Sequence, residues 1–173
     1  ETTDNQQALL HAKTLIKKKI AEGYSETISE LGVYENVLPM LAHDFNKRSS
    51  SIKYPCYVQP KLDGIRMTIH MKNDKIIYLS RTGKLLENMK FLSNQLINMF
   101  KNYDVYLDGE IYLNGVAFQD IVSLTKKKQI NTESLEYHVY DIYTKDNMKY
   151  SDRLEILKNI FDNYSNVFKN IKK

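Results

Sequence analysis

The chain has no tryptophan, one cysteine and only three prolines among its 173 residues. A lone cysteine, Cys56, excludes an internal disulfide and fits an intracellular, reducing compartment such as nucleus or cytoplasm. With three prolines and six glycines, no Gly/Ser/Pro-rich linker and no internal repeat divides the chain, which is about one domain long. No apolar run approaches the roughly 20 residues needed to cross a bilayer, so no membrane partner is expected. Neither sign of charge dominates: 25 basic against 21 acidic residues leave a net +4, which permits nucleic-acid binding without demanding it. What remains is 42% hydrophobic and 27% charged, the balance of a chain that buries an ordinary core.

Periodicity places the elements. Thr3 or Asp4 caps a helix, with Gln6 or Gln7 three residues on, and Leu9, Ala12, Ile16 and Ile20 follow helical spacing up to Gly23. Strands are predicted at 54–59, 65–71 and 75–80, the last two joined by an Asn73-Asp74 turn. A helix capped by Asn88 fits 88–101, and "VYLDGEIYL" predicts a strand at 105–113. A short helix over 118–127, a strand over 137–143 and a final helix capped by Ser151 complete the chain. Leu154, Leu157, Phe161 and Tyr164 form the apolar face of that last helix. Hairpin-linked strands interrupted by helices predict an α+β fold with antiparallel sheets flanked by helices. The division expected is an N-terminal helix and lead-in over 1–45, then the body of the domain over 46–173.

Three clusters carry chemistry. In "KLDGIR", residues 61–66, Lys61 sits in a break between predicted strands, Gly64 lets the backbone bend toward a ligand, and Arg66 offers a planar fork suited to phosphate or ribose oxygens. A neutral lysine amine there would be a nucleophile. The plainer reading is a solvated turn. In "YLDGEIY", residues 106–112, Asp108 and Glu110 share a face of one strand, either solvated or holding Mg²⁺ or a ribose hydroxyl. In "YHVYDIY", residues 137–143, strict alternation puts His138, Tyr140 and Ile142 on one face and Val139, Asp141 and Tyr143 on the other. Those rings pack a core, or one of them stacks on a purine. Between the first two clusters, "SRTGK" at 80–84 reads as a basic turn.

Taken in order, "KLDGIR", "SRTGK", "LDGE" at 107–110 and "YHVYDIY" resemble the motifs of the ATP-dependent DNA ligases. These are covalent nucleotidyltransferases, grouped with RNA ligases and mRNA capping enzymes. "PMLA" at 39–42 and the helix ending in "EGY" at 22–24 are similar to the lead-in of phage-type and large-DNA-virus members. The resemblance implies an ATP-grasp-like nucleotidyltransferase adenylation domain that uses ATP and Mg²⁺ and acts on nicked double-stranded DNA. It implies Lys61 as the nucleophile that takes AMP from ATP before AMP passes to a 5′-phosphate at the nick. Arg66 would lie near ribose and phosphate, Glu110 at the ribose or metal with Asp108 beside it, and Tyr140 against the adenine. Gln59, where many members have Glu, would read the adenine amino group, and Arg81 would contact the DNA backbone.

Two later motifs of the family, Glu-Gly before apolar residues and Lys-x-Lys, have no match after Lys149. The expectation is therefore an incomplete adenylation domain, in which the helix over 151–164 exposes apolar surface. An RNA ligase or capping-type enzyme and a non-catalytic nucleic-acid-binding fragment are the alternatives. "PMLA" and "LDGE" favour a DNA ligase, and the distinct domain that NAD-dependent ligases use for nicotinamide has no counterpart. The oligomeric state leaves no mark in the sequence.

Overall fold

Apolar and polar residues alternate through Ile65–Lys72, and this decides the architecture: Met67 and Ile69 are fully buried on one face, while Arg66, Thr68 and His70 occupy the other. The computed structural model describes residues 3–21, 24, 39–144 and 146–173. Helices α1 (Asp4–Ala21) and α2 (Phe45–Arg48) precede strands β1 (Ile65–Lys72) and β2 (Lys75–Ser80). Next come α3 (Ser93–Asn102), β3 (Tyr106–Tyr112), α4 (Phe118–Lys126), β4 (Glu136–Tyr143), α5 (Tyr150–Tyr164) and a short β5 (Ile171–Lys172). Two compact units result, Glu1–Leu38 with Thr82–Lys84, and Pro39–Arg81 with Leu85–Lys173.

In the first unit, α1 opens with a reciprocal cap. The backbone N–H of Thr3 donates to Gln6 Oε1 at 2.9 Å, and that of Gln6 donates to Thr3 Oγ1 at 3.4 Å. Gly23 lies outside the described residues, as does most of the "EGY" lead-in.

The second unit is a five-stranded sheet in the order β2-β1-β3-β4-β5. All neighbours are antiparallel except β4 and β5. The α+β prediction is met, with one sheet among the described residues rather than several. Asn73 and Asp74 both take positive φ, 49° and 59°, as a two-residue hairpin requires. One face carries the core: Met67, Ile69, Leu107, Ile111, Tyr137, Val139 and Ile142 cluster with Leu96 and Met99 of α3, Ile121 of α4, and Leu157 and Ile160 of α5. Gly109 makes room in it. A Cβ there would overlap the His138 carbonyl oxygen and lie 2.8 Å from the Tyr137 ring. Tyr137 donates from its hydroxyl to Met67 O at 3.0 Å, and so spans three strands.

Several expectations are corrected. Residues 54–59 form no strand. Pro55 and Pro60 remove backbone donors at either end, and Tyr54, Tyr57 and Val58 are exposed. Asn88 does not cap a helix; the chain enters α3 through a 3₁₀ turn over Glu87–Leu92, and Asn88 Nδ2 donates to Thr125 O at 2.9 Å. Ser151 lies inside α5, which follows Lys149 without a side-chain cap. Leu157 and Ile160 are buried, so α5 already has its cover. Residues 171–172, which sequence left without an element, pair in parallel with Tyr137 and His138. No helix among the described residues is long and apolar enough to cross a membrane.

Candidate active site

The face of the sheet opposite the core is built in cross-strand rows. Arg66 pairs with Glu110, and Glu110 with His138; Thr68 pairs with Asp108, and Asp108 with Asp141. Tyr106 pairs with Tyr143 and stacks on it, ring centroids 4.7 Å apart and planes 10° apart, while His70 lies 4.6 Å from Tyr106 on its other side. Antiparallel register alone brings the "KLDGIR", "LDGE" and "YHVYDIY" clusters together.

Lys61 is exposed on the loop that leads into β1, and its charge acts on Glu110. The Glu110 carboxylate accepts a hydrogen bond from the Gly64 backbone N–H. Gly64 permits that approach, because a Cβ there would overlap the Ile111 carbonyl oxygen and crowd Glu110 Cγ at 2.9 Å. Burial pushes Glu110 up from its ordinary 4.5 to about 7, against the downward pull of Lys61 and Arg66. The folded chain thus holds this proton where the unfolded chain has lost it. Stability is expected to fall as pH rises from about 4.5 to about 7, and Glu110→Gln should flatten that segment. Urea unfolding at successive pH values without metal measures this; a variant with the same slope as the parent refutes it.

Arg66 and Asp108 form a two-bond fork, Nε to Oδ1 at 3.0 Å and Nη2 to Oδ2 at 2.6 Å, and Arg66 Nη1 donates to Met40 O at 2.6 Å. Each terminal nitrogen of Arg66 keeps one N–H beyond these bonds. The guanidinium lies 5.8 Å from the centroid of the Tyr140 ring. Asp108, expected beside Glu110 at a metal, is thus paired with an arginine in this structure. Both Asp108 oxygens are committed to Arg66. Among the described residues, no group of three or more His, Cys, Asp or Glu side chains is arranged to hold a metal ion.

Gln59 Nε2 donates to the Tyr140 carbonyl at 3.0 Å. A carbonyl oxygen only accepts, so this contact fixes the orientation of the amide and leaves Gln59 Oε1 as its free end. Gln59, Pro60, Leu62, His138 and Tyr140, with Leu154 and Leu157 behind them, line a cleft of about 160 Å³. Arg81, just past β2, is exposed.

Sequence reasoning missed three features. Alternation through β4 does not persist: Ile142 is buried with Tyr137 and Val139, and Asp141 is not, because pairing with β3 shifts between Asp108 and Gly109. The partner of Asp141 is Arg153, twelve residues on, with which it shares bonds of 2.9 and 2.8 Å. His138 lines the cleft. Gly109 inside "YLDGEIY" is the sequence signal for such a bulge, since a glycine within a strand often marks one, and the shift falls beside it.

Residues 39–173 match the family described as the ATP dependent DNA ligase domain. A DNA ligase of African swine fever virus (isolate Pig/Kenya/KEN-50/1950) is 33% identical over 132 residues, covering 71% of this chain and 31% of the relative. This chain thus spans about a third of the length of that relative. The solved structure named "Pmar-Lig_Pre." superposes with a TM-score of 0.65 at 25% identity, over 76% of this chain and 33% of the other. The ATP-dependent DNA ligase of bacteriophage T7, in complex with ATP, shares the fold with a TM-score of 0.52 at 20% identity, over 65% of this chain and 45% of the other. Sequence match and superposition agree with the motifs on the sheet face, and the chain belongs to the ATP-dependent DNA ligase domain family.

Proposed function

We propose that this chain is the nucleotide-binding part of an enzyme that adenylates itself on Lys61 and passes the AMP to a 5′-phosphate at a nick in double-stranded DNA. The observation that carries this reading is that Glu110, Arg66 and Tyr140 share one sheet face and that Lys61, on the loop before β1, is near enough for its charge to act on Glu110. In the step proposed, the neutral Lys61 amine attacks the α-phosphorus of ATP. A P–N bond forms, the bond from that phosphorus to the bridging oxygen breaks, and pyrophosphate leaves with the electron pair, while the amine proton passes to solvent. Positioning and charge stabilisation supply most of the rate in such a transfer.

The residues fit the nucleotide. Tyr140 offers a ring against the base, the free Gln59 Oε1 accepts from an exocyclic amino group, and the remaining N–H groups of Arg66 suit ribose or phosphate oxygens. Glu110, with the phosphates of the nucleotide, would hold Mg²⁺, which would neutralise charge on those phosphates. Arg81 is the residue proposed to meet the DNA backbone.

Incubation of the full-length protein with ATP and MgCl₂, followed by intact-mass measurement, is expected to show one covalent adenylate. An unlabelled protein would refute the reading. Tyr140→Ala should weaken ATP binding by about 1–3 kcal/mol, as loss of base–aromatic stacking does elsewhere, and Tyr140→Phe should be nearly silent. Calorimetric titration decides this; unchanged affinity in the alanine variant returns Tyr140 to a packing role.

A further inference from the structure

The irregularity in β4 has supports that the reaction does not by itself require. Pairing with β3 runs from Gly109↔Val139 to Asp108↔Asp141, so Tyr140 has no partner in the ladder, and Tyr140 and Asp141 both turn away from the core. A bulge leaves backbone groups without ladder partners and re-aims the side chains beside it. Here side chains take those groups, two of them from outside the strand. The Tyr140 carbonyl accepts from Gln59 Nε2 at 3.0 Å and from the Tyr150 hydroxyl at 3.5 Å. The Ile142 N–H donates to Asp141 Oδ1 at 2.8 Å. The two Asp141 oxygens then accept from Arg153 Nε and Nη2 at 2.9 and 2.8 Å. Arg153 is itself held at both ends, by a bond from Nη1 to Met148 O at 2.7 Å and by the Tyr150 ring, whose centroid lies 5.4 Å from the guanidinium.

The charges explain why an arginine stands there. Asp108 and Asp141 are directly opposite across β3 and β4, an arrangement that repels unless each charge is met. Arg66 meets the first and Arg153 the second, so Tyr140 sits beside two Arg–Asp forks on neighbouring strands. Both members of the Arg153–Asp141 pair are largely shielded, with side chains 22% and 25% exposed, so solvent replaces neither cheaply.

We infer that Arg153, acting through Asp141, is a positioning residue for the nucleotide base: its fork holds the bulge that aims the Tyr140 ring. Without Arg153, the Asp141 carboxylate is repelled by Asp108 and swings outward. The Ile142 N–H then loses its acceptor, and the ring of Tyr140 loses its fixed direction. The inference rests on Tyr140 being the base-stacking residue, and two measurements separate it from that reading.

The first needs no nucleotide. In full-length protein with labelled tyrosine rings, Tyr140→Phe identifies the Tyr140 resonances. Arg153→Ala is expected to shift them while the stacked Tyr106 and Tyr143 rings keep theirs. An unmoved Tyr140 signal, or a shift of all three rings alike, overturns the inference. The second is ATP affinity by equilibrium dialysis. Arg153→Ala is expected to weaken binding roughly fivefold to tenfold, part of what removal of the whole ring costs. It should add almost nothing in a Tyr140→Ala background, because the two residues act as one unit. Losses that multiply point to general destabilisation and overturn the inference, as does an Arg153→Ala protein that binds ATP normally while Tyr140→Ala does not. If Tyr140→Ala itself binds ATP normally, the stacking reading fails and takes with it the role inferred for Arg153, even where the ring shift is seen.

Discussion

Lys61→Ala is expected to abolish covalent labelling of the full-length protein by ATP while leaving its unfolding curve unchanged. Lys61 is exposed on a loop and carries no core contact, so the fold does not need its side chain. The proposed chemistry needs it absolutely, because Lys61 is the amine on which the P–N bond is proposed to form. Lys61→Arg is the sharper variant. It keeps the positive charge beside Glu110 yet should label no better than alanine, since a guanidinium does not deprotonate at neutral pH. The two variants also separate attraction from nucleophilicity: arginine can preserve ATP binding while transfer is lost. Intact mass after incubation with ATP and MgCl₂ reads the result, and adenylate retained by either variant would displace Lys61 from the centre of the reaction.

The second large effect falls on Asp108, and it is one of stability. Asp108→Ala strips the counter-charge from Arg66, whose side chain is only 21% exposed, and leaves that guanidinium without two of its three bonds. Breaking a shielded ion pair from one side costs about 3–5 kcal/mol, because the remaining charge stays behind unmet. Glu110→Ala should cost much less, since it removes a carboxylate that burial already disfavours in its charged form. Urea unfolding with an unchanged m-value is the measurement. A loss for Asp108→Ala below about 1 kcal/mol, the range of exposed pairs, would show that the fork is not what holds Arg66.

Much of this molecule is legible in the chain. Alternation in "IRMTIHMK" and the Asn73-Asp74 turn specify a hairpin with one apolar face, because side-chain direction in a strand has a period of two and a two-residue loop demands positive φ. The order of "KLDGIR", "LDGE" and "YHVYDIY" specified the family. Each motif is short and local, so its chemical groups are visible without knowledge of their partners.

The sequence was silent wherever a decision depended on a partner far along the chain. Whether residues 54–59 pair as a strand depends on an available sheet edge, and none reaches them. Whether Asp108 faces an ion or an arginine depends on register between β1 and β3, which sets Thr68 opposite Asp108 and brings Arg66 within reach of it. Whether Tyr140 and Asp141 alternate or bulge together depends on Gln59, Tyr150 and Arg153, from a loop and a helix that local pattern cannot connect to β4. Local residue preference determined the strands, the turn and the chemical groups. Tertiary packing decided which charge meets which, because ion pairs and bulge-freed backbone groups are satisfied by whatever the fold brings within about 3 Å, regardless of distance in sequence.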